Sequence, residues 1–289
     1  MGLRIRRAQQ SDLSALPPLL RASFAHYQDA LVYSEAVLGL FRDQWWRPLR
    51  GLVAEDGGAL VGVALAGLRE LELDGGELTC GHIGPVAVLP ELWGKGLGAR
   101  LVRGLEPLSV DLLTLTVNRV ERVGGFYTRL GYRELETWIP RVLDLRRPLS
   151  PRRAPEASTR HALIERAQPL QPRDAPLVAS FQLGDSHIQL VRWPVTSRQG
   201  VQVVRLFTAQ IVARGPSGPD LDACLDQALD WARAQGVELV WGRPQVVGGL
   251  RGFTLGGGEG VSRMVLPRTP RGSEAAARAL SWWPAGPSP

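Results

Sequence analysis

The chain of 289 residues is 44% hydrophobic and 21% charged, so it has enough apolar residues to bury a core in one large or two ordinary domains. Its formal net charge is +6, yet only Lys95 among its 34 basic residues is a lysine, and the arginines are scattered without interleaved aromatic residues. This scatter favours a solvated basic surface over a nucleic-acid groove. The two cysteines lie far apart and the four histidines are scattered, which excludes a zinc-ligand spacing.

The sequence shows no targeting or membrane-spanning signal. Its N-terminus lacks the apolar region of a signal peptide, and no apolar run reaches the ~18 residues of a membrane helix. The excess of arginine and the single asparagine, Asn118, fit a GC-rich bacterial genome. We therefore predict a cytoplasmic protein with reduced thiols that does not interact with a membrane.

The first half alternates strand and helix signals. Apolar periodicity, caps and turn residues predict the elements. They are a strand at 3–8, a helix at 11–24, one or two aromatic-rich helices at 26–49, a hairpin formed by 51–55 and 59–68, a strand at 77–89, a helix from Leu97 that Pro107 ends, a strand at 110–117, a short helix within 119–129 and a strand from Tyr132.

The second half repeats this order after a segment rich in proline, arginine and serine. That segment, residues 146–160, is predicted to be a linker between two domains, at 1–145 and 161–289. The repeated order of strand, helix and strand predicts a duplicated fold. The elements are strands at 187–195 and 201–213, a helix at 219–236, a strand at 237–243 and a loose tail from Pro267 that contains Trp282 and Trp283.

The only lysine lies in a glycine-rich turn between a predicted strand and a predicted helix. Glycines allow the backbone to approach a ligand, and the first N–H groups of a helix have no partner within it, so the turn suits an anion such as a phosphate. The turn is not a Walker A loop, because its lysine is not followed by serine or threonine. The turn also lies too far into the domain for a dinucleotide fingerprint.

Residues 85–101 resemble motif A of the Gcn5-related N-acetyltransferases (GNAT), and 126–132 (FYTRLGY) resemble motif B of that family. The resemblance covers roughly residues 3–145. It implies two acyl-CoA N-acyltransferase folds in tandem, each a mixed, mostly antiparallel twisted sheet flanked by helices. Trp93 departs from the usual arginine or glutamine of motif A, and Val120 replaces the usual asparagine before motif B, with Asn118 two residues upstream.

The resemblance implies acetyl-CoA as cosubstrate and no metal. Free backbone groups of Val86, Ala87 and Val88 would hold the pantetheine arm and the thioester carbonyl. The diphosphate would bind at the loop and helix start, formed by Trp93, Gly94, Lys95, Gly96, Leu97, Gly98 and Ala99.

The same resemblance suggests a catalytic acid and a base. Tyr127 would protonate the leaving thiolate, unless it is a buried aromatic with its hydroxyl paired elsewhere. His82 lies where related histone acetyltransferases carry a glutamate base, and it is either the base or a structural strand histidine, with Glu77 as a second candidate. Strand alternation puts His82 on the face of Val86 if no bulge intervenes. Cys80 lies two residues before His82 and therefore on the same face of the strand. A role as a small buried residue is favoured there over an acyl-cysteine intermediate.

The acceptor would be the primary amine of a small molecule or a peptide, attacked directly. Its site would lie under the aromatic segment of Tyr27, Tyr33, Trp45 and Trp46, residues that alternatively pack a core. The second half has no Gly-x-Gly-x-Gly loop and no tyrosine, so it is predicted to be a degenerate copy. The alternative function is a non-catalytic acyl-CoA-binding protein. A homodimer is one possible assembly, and nucleic acid is not favoured as a partner.

Overall fold

The computed structural model describes most of the chain. The described residues are 2–27, 29–31, 33–40, 49–73, 76–106, 108–119, 123–139, 141–146, 163–165, 177–199, 202–214, 218–242, 254–255 and 261–277. The chain forms two compact units, one of Met1–Thr137 with Glu259–Pro289 and one of Trp138–Gly258.

The described residues form strands and helices in both units. In chain order they are β1 Arg4–Arg7, α1 Leu16–Ser23, β2 Asp29–Leu31, α2 Glu35–Leu40, β3 Leu49–Asp56, β4 Ala59–Leu73, β5 Gly76–Val88, α3 Leu97–Leu105, β6 Leu112–Asn118, α4 Gly124–Arg129, β7 Arg133–Trp138, β8 Arg141–Asp144, β9 Leu163–Glu165, β10 Leu177–Leu183, β11 Ser186–Gln199, β12 Gln202–Arg214, α5 Pro219–Ala234, β13 Leu239–Gly242, β14 Thr254–Leu255, β15 Val261–Pro267 and α6 Pro270–Ala277.

The sheet of the first unit has the order β1-β3-β4-β5-β6-β15-β7. The pair β5–β6 is parallel, whereas β1–β3, β3–β4, β4–β5 and β6–β15 are antiparallel. The amphipathic helix α3 buries Leu97, Leu101 and Leu105 against β3, β4 and β5. It ends at Leu105 with Glu106 as its C-cap, which confirms the predicted stop near Pro107.

The second unit repeats this arrangement with a sheet ordered β9-β10-β11-β12-β13-β8-β14. Its strands β12 and β13 are parallel, as β5 and β6 are, and α5 connects them in the chain as α3 connects β5 and β6. The mixed sheets flanked by helices confirm the predicted fold class. The repeated strand order agrees with the predicted duplication.

The grouping of the strands differs from the sequence-based division at residue 145. The first sheet takes up β15 from the C-terminal part of the sequence, and the second sheet takes up β8, which precedes residue 145. A contiguous split could not anticipate this, because strand partners are chosen by long-range pairing rather than by order along the chain. The predicted linker at 146–160 lies, except for Arg146, outside the described residues.

Two local predictions were wrong. Residues 29–31 form β2 and only 35–40 form a helix, where one or two helices were predicted over 26–49, and 41–48 lie outside the described residues. The tail from Pro267 is not loose at its start, because Pro270–Ala277 form α6. Trp282 and Trp283 lie outside the described residues.

Asp111 attaches α6 to the sheet. Its carboxylate accepts the Thr79 N–H at 2.9 Å and the Thr269 hydroxyl at 2.7 Å, and its carbonyl accepts the Arg268 N–H at 2.8 Å. The Thr79 N–H, followed by the Thr269 hydroxyl, holds the pKa of Asp111 below its ordinary range. Gly272 packs so closely that a Cβ there would lie 1.9 Å from the Asp111 carbonyl oxygen.

We expect Asp111→Asn to lower the free energy of unfolding by about 1–3 kcal/mol at neutral pH, because the amide nitrogen cannot accept a hydrogen bond. The stabilisation by the carboxylate is present above its unfolded-state pKa of about 3.9 and is lost as the pH falls through the lower folded-state value. Urea unfolding should therefore show a constant difference from the unmodified protein above about pH 5 and a shrinking one below about pH 4.

The matched control is Asp56→Asn in the exposed turn between β3 and β4. An equal loss of stability in both variants would contradict the anchoring role of Asp111.

Candidate active site

The parallel strands β5 and β6 separate halfway along their length. They pair from Cys80 opposite Leu112 to Ile83 opposite Leu115. Beyond this point β5 continues beside β4 to Val88, and β6 continues beside β15 to Asn118. The described strands therefore leave a wedge-shaped opening between residues 84–88 and 116–118.

A β-bulge at Gly84 and Pro85 accompanies the separation. Ala66 pairs with Ile83 but Ala64 pairs with Val86, so β5 has one residue more than β4 at this point. Pro85 has no N–H to donate to a ladder with β6. The bulge also reverses the alternation, so His82 and Val86 face opposite sides of the sheet, whereas the same side was predicted for a regular strand.

The polar backbone groups of Val86 and Val88 point into the opening. The Leu89 N–H donates to the Val61 carbonyl of β4 at 3.0 Å, and groups of successive residues in a strand point to opposite edges. The groups of Val88 and Val86 therefore point away from β4. Those of Ala87 point toward β4, opposite Val63, so its backbone does not fit the predicted contact with a ligand in the opening.

Trp93 closes one edge of the opening. Its indole Nε1–H donates to the Val88 carbonyl at 2.7 Å, although 48% of the residue is exposed. His26 meets the indole edge-on, with the ring centroids 4.9 Å apart. The residue that departs from the usual arginine or glutamine of motif A thus satisfies a backbone acceptor of β5.

The glycine-rich turn leads from β5 to α3 in a conformation that requires glycine. Gly94 and Gly96 have φ values of +74° and +77°, and nothing lies within 4 Å of a Cβ built on either. Gly96 is the N-cap of α3, and no side chain caps this helix. Lys95 is exposed beside them. The N–H groups of the first turn of α3 and a mobile positive charge therefore face open space, which suits an anion.

A cavity of about 60 Å³ occupies the opening and brings His82 and Tyr127 together. Residues 82–86 of β5 and 116–118 of β6 line two sides. Val123 and Tyr127, from the start of α4, form a third side, and Phe24, Tyr27 and Tyr33 form a fourth.

His82 is held by β6. It is 8% exposed, and its Nδ1 lies 3.1 Å from the hydroxyl oxygen of Thr114, which is fully buried. Its Nε2 points toward Gly84 in the cavity wall, where a Cβ would lie 3.9 Å away. This geometry orients the second ring nitrogen toward the opening.

The other two candidates on β5 lie elsewhere. Cys80 is fully buried in a core with Leu112 and Val265, and its sulfur lies 3.6 Å from the Thr114 hydroxyl. Glu77 is exposed at the opposite end of the strand, roughly 17 Å from His82 at the rise of a strand. Neither residue lines the cavity.

Tyr127 is buried among aromatic rings. Its ring meets those of Phe126 and Tyr132 edge-on, at centroid distances of 4.9 and 6.0 Å. Burial raises the pKa of the Tyr127 phenol above its ordinary value, with a further contribution from Tyr27. The phenol therefore keeps its proton throughout the physiological pH range.

An aromatic wall, defined as Phe24, Tyr27 and Tyr33, closes the side of the cavity that follows α1. The ring of Phe24 lies 5.2 Å from that of Tyr27 and 5.6 Å from that of Tyr33. Tyr33 is 2% exposed, and Arg21 donates to its carbonyl at 3.0 Å. Tyr27 and Tyr33 thus line the cavity and also pack, while Trp45 and Trp46 lie outside the described residues.

Three contributors were not identified from the sequence. Phe24 and Thr114 carry no motif, because their roles depend on which strand and helix lie beside β5. The bulge had a signal, since glycine and proline inside a strand pattern mark an irregularity.

Within the described residues, no helix combines the length and the apolar character that crossing a membrane requires. The same part of the chain has no group of three or more histidine, cysteine, aspartate or glutamate side chains that could hold a metal ion.

Comparison with known proteins identifies the family. Residues 20–132, which contain the opening, the glycine-rich turn and Tyr127, match the model of the "Acetyltransferase (GNAT) family". No curated protein matches the chain.

Solved structures share the fold of both units. N-myristoyltransferase of Saccharomyces cerevisiae with bound myristoyl-CoA has a TM-score of 0.62 at 11% identity, covering 92% of this chain and 79% of its own. The GCN5-related glucosamine N-acetyltransferase region of a fungal GH3 β-N-acetylglucosaminidase has a TM-score of 0.58 at 13% identity, covering 91% and 38%. A probable N-acyltransferase of Enterococcus faecalis V583 has a TM-score of 0.54 at 11% identity, covering 92% and 73%.

The opening between β5 and β6, the uncapped start of α3 and the family match over 20–132 agree with one another. Residues 20–132 therefore match the acetyltransferase (GNAT) family, and the protein is an acyltransferase.

Proposed function

We propose that the protein transfers an acetyl group from acetyl-CoA to a primary amine by direct attack, with His82 as base and Tyr127 as acid. The observation that carries this proposal is the shared cavity. Two residues from different elements, a strand histidine and a helix tyrosine, line the place where β5 and β6 separate. A purely structural histidine and tyrosine would not need to meet at such an opening.

The glycine-rich turn supports a CoA cosubstrate. Its positive-φ glycines leave open space, and the uncapped first turn of α3 offers N–H groups to a diphosphate, with Lys95 beside it. The inward-pointing groups of Val86 and Val88 suit the amides of a pantetheine arm. Acyl-CoA ligands bound to proteins of the same fold, such as the myristoyl-CoA named for the yeast enzyme, are consistent with this assignment.

The first chemical step forms the C–N bond. The acceptor amine attacks the thioester carbonyl carbon, and the amine proton passes to His82 Nε2, directly or through a water. Thr114 fixes the ring so that Nε2 faces the cavity. The N–H groups of Val86 and Val88 are donors for the negative charge that develops on the carbonyl oxygen.

The second step breaks the C–S bond. The electron pair goes to the sulfur of CoA, and Tyr127 donates its phenolic proton to that thiolate. The phenol is protonated at neutral pH, so Tyr127 holds the proton that this step requires. His82 then releases its proton to the solvent, and the Tyr127 phenolate takes up a proton from the solvent.

The direct test measures release of the CoA thiol from acetyl-CoA in the presence of primary amines, with the acetylated amine identified by mass spectrometry. Amine-dependent thiol release supports the proposal. A protein that binds acetyl-CoA but releases no thiol with any amine would overturn it and favour a non-catalytic acyl-CoA-binding protein.

We expect Tyr127→Phe and His82→Gln each to lower kcat by about 10²–10⁴-fold, because each removes one proton-transfer group. The affinity for acetyl-CoA, measured by calorimetry, should change little, since Phe keeps the packing of the ring. Cys80→Ala serves as control and should keep its turnover, whereas loss of turnover there would favour an acyl-cysteine.

We expect Gly96→Ala to weaken CoA binding by about tenfold or more, because a left-handed alanine costs about 1–2 kcal/mol and shifts the turn. The matched control is Gly98→Ala, two residues later. A Cβ on Gly98 would meet the Phe126 ring at 3.5 Å, an ordinary contact, and motif A accepts alanine at this position. Equal CoA affinities of the two variants would contradict the role given to the turn.

A further inference from the structure

We infer that the acceptor presents an unbranched –CH₂–NH₂ end, as in monoamines, polyamines and lysine side chains, rather than an α-branched amine such as an amino acid or an ordinary peptide N-terminus. This inference rests on the proposed function, because it assigns the acceptor of the same site. It follows from the size, the rigidity and the charge of the cavity between β5, β6, α4 and the aromatic wall.

The size of the cavity limits what reaches the thioester. Its volume of about 60 Å³ accommodates about four water molecules, or a chain of similarly few heavy atoms. The amine must enter this space to meet a carbonyl held by Val86 and Val88. A substituent on the carbon that bears the nitrogen would need room in the same small space.

The aromatic wall does not yield easily to a larger group. Phe24 is the C-cap of α1, with its N–H donating to the Leu20 carbonyl at 3.0 Å, and Tyr27 N–H donates to the Phe24 carbonyl at 3.0 Å. Tyr33 is tied to α1 through Arg21 and is 2% exposed. Because each ring packs against another, widening the cavity requires several side chains to move together.

The charge of the lining favours a cationic end without an adjacent carboxylate. The described lining residues contain no aspartate, glutamate, lysine or arginine. Aromatic faces and the oxygens of Thr116 and Asn118 attract an ammonium group, which then loses its proton to become nucleophilic. An α-carboxylate would find no lysine or arginine among these residues to balance its charge, at a cost in desolvation.

The test compares two isomers that differ only in branching. n-Butylamine and sec-butylamine have the same atoms and charge, and acetyl transfer to each is measured as kcat/KM by thiol release. We expect n-butylamine to be favoured by about tenfold or more, the effect of one misplaced carbon in a close-fitting pocket. A second pair, β-alaninamide and alaninamide, applies the same comparison to an acceptor that carries a neutral amide.

Variants of the wall show whether the cavity is the cause. Tyr27→Ala removes one ring of the wall and is expected to reduce the preference for n-butylamine severalfold, because the ring no longer confines the carbon next to the nitrogen. Tyr27→Phe keeps the ring and should keep the preference. Circular dichroism and thermal unfolding confirm that both variants fold, since Tyr27 is only half-buried.

The outcomes separate this inference from the proposed function. Acetyl transfer with equal kcat/KM for the two butylamines, or faster transfer to alaninamide than to β-alaninamide, would overturn the inference and leave the acetyltransferase activity standing. An unchanged preference in a folded Tyr27→Ala would also overturn it. Failure of every amine to release thiol would overturn the proposed function, and this inference with it.

Discussion

The separation of β5 from β6 is the constraint on which the site depends. A strand held on both edges has no backbone groups to offer a ligand, whereas β5 beyond Ile83 is held by β4 alone. Buried polar backbone groups without partners are costly, so such an opening persists only where something satisfies them. Trp93 does this for the Val88 carbonyl, and the remaining groups of Val86 and Val88 face the space that a cosubstrate would fill.

The opening also explains how two distant residues reach one place. His82 lies just before the strands part, and α4 carries Tyr127 across the end of β6. Their surroundings differ in ways that suit opposite roles. The Thr114 hydroxyl holds the histidine ring, whereas the burial of the phenol raises the pKa of Tyr127. This division of tasks between two environments is the usual means by which one site holds an acid and a base.

Much of the first unit could be predicted from the sequence because its signals are local. The Asp56–Gly57–Gly58 turn, the period of α3 and the glycine-rich loop each depend on neighbouring residues. Tyr27 and Tyr33 were named from the sequence and do line the cavity, whereas Phe24 and Thr114 could not be identified, since their roles depend on the packing of distant elements. The face of His82 was misjudged because one bulge at Gly84–Pro85 reverses a strand's alternation. Within residues 26–49 the strand at 29–31 was missed because three residues are too few to show an alternating pattern.

The second unit shares the strand order of the first but differs from it at the start of its central helix. It repeats the parallel pair β12–β13 and the helix between these strands, yet its helix begins with Pro219, which has no N–H to donate. All four tyrosines of the chain belong to the first half of the sequence. The first sheet in turn includes β15, whose Met264 pairs with Leu115 where β5 and β6 part, so the C-terminal part of the sequence helps to hold the opening in place.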